Sequence, residues 1–337
     1  MLPGRRPRPR WRSDPPPRHP RGVPSLHGHY WTFRPFLAAT LAPAPPPPSR
    51  HWRTYLDDPV AGRVRLTGRL QEAPGADALL VVVHGLGGSH GSTYALDAAR
   101  AAARAGLSCL RLNLRGADRK GVDFYHAGLT ADLRAVLADR DVRAYERVHL
   151  LGYSLGGHLV LRYAAEGVDP RVASVATVCA PVDLEAGARE IDQPKGAVYR
   201  RHVLRGLKEI YGQVARRRPV AAPLEEVRAI DTIRDWDDRV VAPRFGFADA
   251  EDYWAKTSVG PRLDAVEVPA LVVTAEQDPM VFAHTVRPHL EGRANLRQVF
   301  LERGGHVGFP PGVDLGLGLA HRGGLEDQVL AWLRAPG

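Results

Sequence analysis

Serine-based acyl transfer needs a hydroxyl nucleophile, an imidazole to take its proton and a carboxylate to hold that imidazole. The chain offers all three in a suitable order. Residues Gly152-Tyr153-Ser154-Leu155-Gly156 spell G-x-S-x-G. A serine in that string sits on a tight, strained turn, and a Cβ two residues to either side would collide with its neighbours, so both flanks must be glycine. By chance the string turns up in about one chain in ten of this composition, so its context decides. Here the strand-like VHLLGYS runs directly into the helix-like LGGHLVLRYAAEG, which is the strand-turn-helix setting the chemistry requires.

The partners are expected after the serine, in the chain order Ser, Asp, His. The segment ALVVTAEQDP reads as a strand that delivers Asp278 at its carboxyl end, where a parallel sheet gathers its catalytic loops, with Glu276 as the nearby alternative. After a predicted strand at Leu296 to Leu301, the turn Gly304-Gly305-His306-Val307-Gly308-Phe309 presents His306, the expected base. Charge developing on an acyl oxygen needs amide donors aimed at it. The run VVVHGLGG ends with His84-Gly85-Leu86-Gly87-Gly88, so the backbone N–H groups of Leu86 and Leu155 form the candidate oxyanion hole, and His84 is expected to orient the loop rather than titrate. These glycines lack the Lys and Ser/Thr of a phosphate loop, and no dinucleotide fingerprint, zinc-type histidine motif or cysteine pair occurs. No cofactor and no metal are expected.

Buried parallel strands are needed to position these groups. Continuous apolar runs at Ala78 to Val83, Ser108 to Leu114, Val148 to Tyr153, Ala173 to Cys179 and Ala270 to Thr274 fit strands covered on both faces. Helical segments at Ser92 to Arg104, Leu129 to Ala138, Leu155 to Glu166 and Val281 to about Leu290 alternate with them, and alternation in Val64, Leu66 and Leu70 suggests further strands nearer the start. The pattern predicts an α/β fold with a doubly wound, mostly parallel sheet. From Asp183 to about Lys256 the alternation lapses into helical periodicity with aromatics (Tyr199, Tyr211, Trp236, Phe245, Phe247, Tyr253, Trp254), which reads as a helical insertion. The expected organisation is a tail over 1–24, a first part of the core over 25–182, a cap over 183–256 and a second part of the core over 257–337.

The formal net charge of +9 is misleading as a sign of nucleic-acid binding. Residues 1–24 carry seven arginines, eight prolines and one acid, leaving about +3 for everything else. That tail reads as solvated and extended, and the proline run Pro45 to Pro48 as a linker or surface arm. No nucleic-acid partner is expected. Only two cysteines occur, both in apolar runs, which suits a reducing cytoplasm; no stretch resembles a membrane span or signal peptide.

Several motifs together resemble the YheT-like α/β-hydrolases. They are Gly28-His29-Tyr30-Trp31-Thr32, His84-Gly85-Leu86 with Ser92-Thr93-Tyr94, Leu114-Arg115-Gly116, Tyr125-His126-Ala127-Gly128, the Ser154 turn with Gly157, Ala180-Pro181-Val182-Asp183-Leu184, Phe245-Gly246-Phe247-Ala248-Asp249 with Tyr253, and the His306 turn. The resemblance implies an α/β-hydrolase fold with a helical cap and serine-dependent hydrolysis of carboxylic esters, with Ser154 as nucleophile, Asp278 as acid and His306 as base. Where the family has paired acids before a proline, this chain reads Gln277-Asp278, and Trp31 replaces a usual polar residue. The aromatic cap suggests a small-molecule ester with an apolar acyl or alcohol group, lipid-like or of medium chain length. The contrasting expectation is a non-catalytic binding protein of the same fold, recruited through its basic tail; a carboxylate-nucleophile chemistry on this fold would need an acid where Ser154 stands.

Overall fold

Strands covered on both faces need mostly apolar side chains, and the central strands have them, from the wholly apolar Ala78–Val83 to runs that also bury Arg111 or Thr274. In the computed structural model, which describes residues 26–41, 44–319 and 323–336, β3 (Ala78–Val83), β4 (Ser108–Asn113) and β7 (Ala270–Ala275) are buried along their whole length. With β1 (Arg50–Asp58), β2 (Gly62–Gln71), β5 (Arg147–Tyr153), β6 (Val172–Val178) and β8 (Leu296–Leu301) they form one sheet of eight strands in the order β1-β2-β4-β3-β5-β6-β7-β8. The pairs β1/β2 and β2/β4 are antiparallel and all the others parallel. The α/β class with a doubly wound, mostly parallel sheet is therefore correct. The tail expected over residues 1–24 lies outside the described residues.

Because side chains alternate across a strand, the sheet builds two cores. Leu79, Val81 and Val83 join Leu133, Val136, Leu159 and Val160 of the helices Thr130–Ala138 and Leu155–Ala165 on one face. Leu80 and Val82 join Ala98, Ala102, Val329 and Leu333 of the helices Thr93–Arg104 and Leu325–Arg334 on the other. The chain runs from β3 outward to β4, then back across β3 to β5 and on to β8, so the order reverses between β3 and β5. Ligands gather at the carboxyl ends of strands flanking such a reversal. The His84 loop leaves β3 there and Ser154 leaves β5.

Between β6 and β7 the chain forms helices only, the principal ones being Leu184–Ile191, Ala197–Ala215 and Ala250–Thr257, with a single π-helical turn at Asp237–Val241. A buried ionic network fastens this insertion to the sheet. The Arg115 guanidinium, 1% exposed, pairs with Asp58, Asp123 and Asp132, and Arg244 of the insertion reaches the same Asp58 and Asp123.

Among the described residues, two helices of ten residues or more escaped the sequence reading. One is the terminal helix Leu325–Arg334. The other is Leu26–Leu41, which holds Pro35 in its interior. A mid-helix proline deprives the carbonyl four residues earlier of its donor. Here that carbonyl belongs to Trp31, and Gly308 packs directly against it in a space too narrow for any Cβ. The proline run after this helix is irregular, as expected.

Removing one member of a buried charge network strands the others, at about 3–5 kcal/mol. Arg115→Ala should lose that much stability in urea titration, whereas truncating the exposed Arg53 should change it by less than about 0.5 kcal/mol.

Candidate active site

The turn from β5 into the helix Leu155–Ala165 places Ser154 at φ 51° and ψ −124°, a conformation few non-glycine residues adopt. Glycine packing leaves the backbone no alternative. A Cβ on Gly152 would sit 2.5 Å from the Gly157 Cα, and one on Gly156 would sit 2.5 Å from the His84 carbonyl oxygen. A Cβ on Gly157 would meet Ala180 at 2.7 Å, and one on Gly85 would meet the Ser154 Cβ at 2.9 Å. The Ser154 N–H donates to the Val178 carbonyl at 2.9 Å, tying the turn to β6.

The structure brings all three expected side chains together. Ser154 Oγ lies 3.0 Å from His306 Nε2, and His306 Nδ1 lies 2.8 Å and 3.1 Å from the two Asp278 oxygens. Asp278 follows β7, and its Oδ1 accepts the N–H groups of Met280 and Val281 at 2.8 Å and 2.9 Å, which fixes the carboxylate plane. With the proton on Nδ1 facing the carboxylate, the Nε2 lone pair points to the serine. The alternative, Glu276, is committed elsewhere, to Arg287.

The loop after β3 has its amides accounted for one by one. Gly85 N–H donates to the Tyr94 hydroxyl at 2.9 Å, Gly87 N–H to the Tyr125 hydroxyl at 2.6 Å and Gly88 N–H to the Gly85 carbonyl at 3.1 Å. Among the described residues no acceptor engages the N–H of Leu86 or of Leu155. His84, fully buried, donates from Nδ1 to the Gly85 carbonyl at 2.7 Å and accepts the Leu114 N–H on Nε2 at 3.1 Å. Burial pushes it down to about 4, so near neutral pH it is an uncharged brace.

Sequence reasoning did not see what holds the His306 loop. The His306 N–H donates to Thr32 Oγ1 at 2.8 Å, and the Thr32 hydroxyl donates to the Gly28 carbonyl at 2.8 Å. Gly305 packs against Gly28 and Thr32, and Gly28 against the Gln277 carbonyl, each too closely for a Cβ. One helix thus grips the loops of both His306 and Asp278. The only signal was the motif Gly28 to Thr32, which carried no role.

Beside Ser154 opens a cavity lined by Leu184, Ile191, Leu207 and Trp236 of the insertion and by Leu86 and Val281 of the core. Asp237, on the π-helical turn, also lines it. Its carboxyl accepts the Trp254 Nε1–H at 2.7 Å, and burial pushes it up to about 7. As to metals, Cys179, Asp278 and His306 have potential ligand atoms within 4.8 Å of one another. The Asp278 and His306 atoms already face each other, and burial raises the Cys179 thiol well above its ordinary range, which favours a protonated sulfur over a ligand thiolate.

A sequence model described as the Alpha/beta hydrolase family matches residues 80–312. A protein of Escherichia coli (strain K12) named "Putative esterase YheT" is 33% identical, over 75% of this chain and 76% of its own. The monoacylglycerol lipase of Saccharomyces cerevisiae is 24% identical, over 69% of this chain and 55% of its own, so the chain spans little more than half of that relative. Among solved structures, the esterase Pf2001 of Pyrococcus furiosus superposes with a TM-score of 0.51 at 14% identity, covering 86% of this chain and 88% of that one, a likeness of fold. The matched region runs from within β3 through every later strand together with the turns that bear Ser154, Asp278 and His306, and the chain belongs to the alpha/beta hydrolase family, in its YheT-like branch.

Proposed function

We propose that the protein hydrolyses carboxylic esters through an acyl-enzyme on Ser154. The observation that carries this reading is the continuous hydrogen-bonded line from Ser154 Oγ through His306 to Asp278, at the mouth of an apolar cavity. His306 Nε2 takes the serine proton as Oγ attacks the acyl carbon. The oxyanion is received by the N–H groups of Leu86 and Leu155, each worth about 3–4 kcal/mol in the transition state. His306 then returns the proton to the departing alcohol, and water, activated by the same nitrogen, releases the acid.

For the substrate we propose lipid-like or medium-chain acyl esters. Aliphatic and aromatic side chains dominate the cavity wall, and Asp237 holds its proton to about pH 7, so the wall favours an uncharged, apolar group. Relatives named as a monoacylglycerol lipase and as a medium-chain fatty acid ethyl ester synthase/esterase support the same class. A cytoplasmic location accords with two buried, free cysteines, and no helix among the described residues is long and apolar enough to cross a membrane.

The test is a series of nitrophenyl esters from acetate to laurate. The wild type should favour the middle and long chains, and Ser154→Ala should lose about 10⁴-fold or more in kcat. A folded wild type without activity on any member would overturn the reading. Thr32→Val removes the acceptor for the His306 N–H while keeping the side-chain volume; kcat should fall about 10-fold with little change in KM, and Thr32→Ser should restore most of it. Stability should also depend on pH. Asp237 and Glu326 are both pushed up to about 7 by burial, so the native state retains protons that the unfolded chain has released. The stability they support is complete below the ordinary carboxylate range and declines as pH rises from there to about 7. In urea titrations at pH 5 and pH 8, Asp237→Asn should lose less stability across that interval than the wild type.

A further inference from the structure

The helix Leu26–Leu41 has two faces, and the site uses only one. Its back, Gly28, Trp31, Thr32 and Pro35, packs on the His306 and Asp278 loops. On its front, Leu26, Tyr30, Phe33, Leu37 and Leu41 are exposed by 89%, 55%, 42%, 55% and 84%. At about 100° per residue these five fall within an arc of about 80°, a continuous apolar stripe on the far side from the docked face. Large exposed hydrophobics are otherwise scattered among the described residues: Tyr55, Val60 and Val198. The stripe also reaches the insertion, because Phe33, with His29 beside it, stacks on Tyr199 of the insertion's long helix, at 5.5 Å and 5.6 Å between ring centres.

What precedes the stripe in sequence selects its occupant. Residues 1–24 carry seven arginines and one acid and lead directly into Leu26. An apolar face alone, or a basic segment alone, binds a bilayer only marginally, whereas the two joined in one stretch of chain supply the two signals that stable, reversible attachment takes. A nucleic acid would be served by the arginines but would leave the stripe in water. A second copy of the chain would cover the stripe but bring the two basic segments together.

We propose that the front of this helix, with the arginine-rich segment before it, is a docking face for an anionic lipid surface. Docked there, the protein holds its helix between the bilayer and the His306 loop, with the insertion's long helix alongside, so that an apolar ester is met at its source. This deepens the functional reading by naming the surface from which substrate is drawn. The docking itself requires no catalysis and is measured without it.

Full-length Ser154→Ala protein is sedimented with vesicles of phosphatidylcholine alone and of phosphatidylcholine with 30% phosphatidylglycerol. Binding to the anionic vesicles should be at least 10-fold tighter than to the neutral ones and should weaken as salt rises from 50 to 500 mM. Leu37→Glu combined with Leu41→Glu should weaken it at least 10-fold. In the otherwise wild-type chain the same pair should leave hydrolysis of a short, soluble ester unchanged, which shows that the helix still docks by its back. Absence of binding to anionic vesicles overturns the proposal, as does binding that the glutamates leave unaltered, which would belong to the arginines alone. A dimer in sedimentation equilibrium that the glutamates dissociate would assign the stripe to a second copy and equally overturn it. A chain without the glutamates that hydrolyses the soluble ester yet fails to bind anionic vesicles would overturn the docking and leave the functional reading standing.

Discussion

The positive φ at Ser154 is the constraint around which the site is arranged. A serine held in that conformation costs of order 1–3 kcal/mol, and it persists only where the surroundings permit nothing else. Here they are backbone packed on backbone, Gly152 against Gly156 and Gly157 and Gly156 against the carbonyls of Val83 and His84, with Gly85 closing on the Ser154 side chain. The same contacts bring the end of β3 against the end of β5. One strained turn therefore directs the hydroxyl toward His306 and packs the glycine that precedes Leu86 against Ser154. The sheet supplies the leverage, since β3 and β5 pair in register from Ala78↔Arg147 to Val83↔Gly152.

The other groups come from distant parts of the chain and are fastened by different means. Asp278 is held by two backbone amides in its own loop, a local device. The His306 loop depends on Thr32, 274 residues away in sequence. Its geometry is demanding as well: Val307 takes a positive φ of 51°, and Gly304 lies at 157°. A loop of that kind has few internal hydrogen bonds to define it, so the hydroxyl of Thr32 and the close approach of Gly28 and Trp31 do so from outside. The insertion is fastened independently through Arg244, which shares Asp58 and Asp123 with Arg115.

Much of this was legible in the sequence because it is written in local patterns. Leu296 to Leu301 and Ala78 to Val83 are strands with the bounds that their apolar runs indicated. Ser154, Asp278 and His306 stood at the ends of such runs, and the structure places them within hydrogen-bonding distance. Asp278 was favoured over Glu276 by its place at the end of the strand and by the family resemblance; that Arg287 engages the glutamate was not legible. Nor was the helix Leu26–Leu41: Pro35 argues against it locally, and only the Gly308 backbone, far along the chain, shows why the broken hydrogen bond is tolerated. Asp237 was hidden for a related reason, because burial beside Trp254, rather than any spacing, sets its character.

The account's central claim is that a single turn presents both the nucleophile and half of its oxyanion hole. The most direct measurement is a crystal structure of the protein after reaction with a fluorophosphonate carrying a medium alkyl chain. The account predicts a phosphonyl group bonded to Ser154 Oγ, its free oxygen within about 2.7–3.1 Å of the N–H groups of both Leu86 and Leu155, and its alkyl chain beneath Trp236. Phosphonylation at another residue, or a phosphonyl oxygen directed away from both amides, would contradict it.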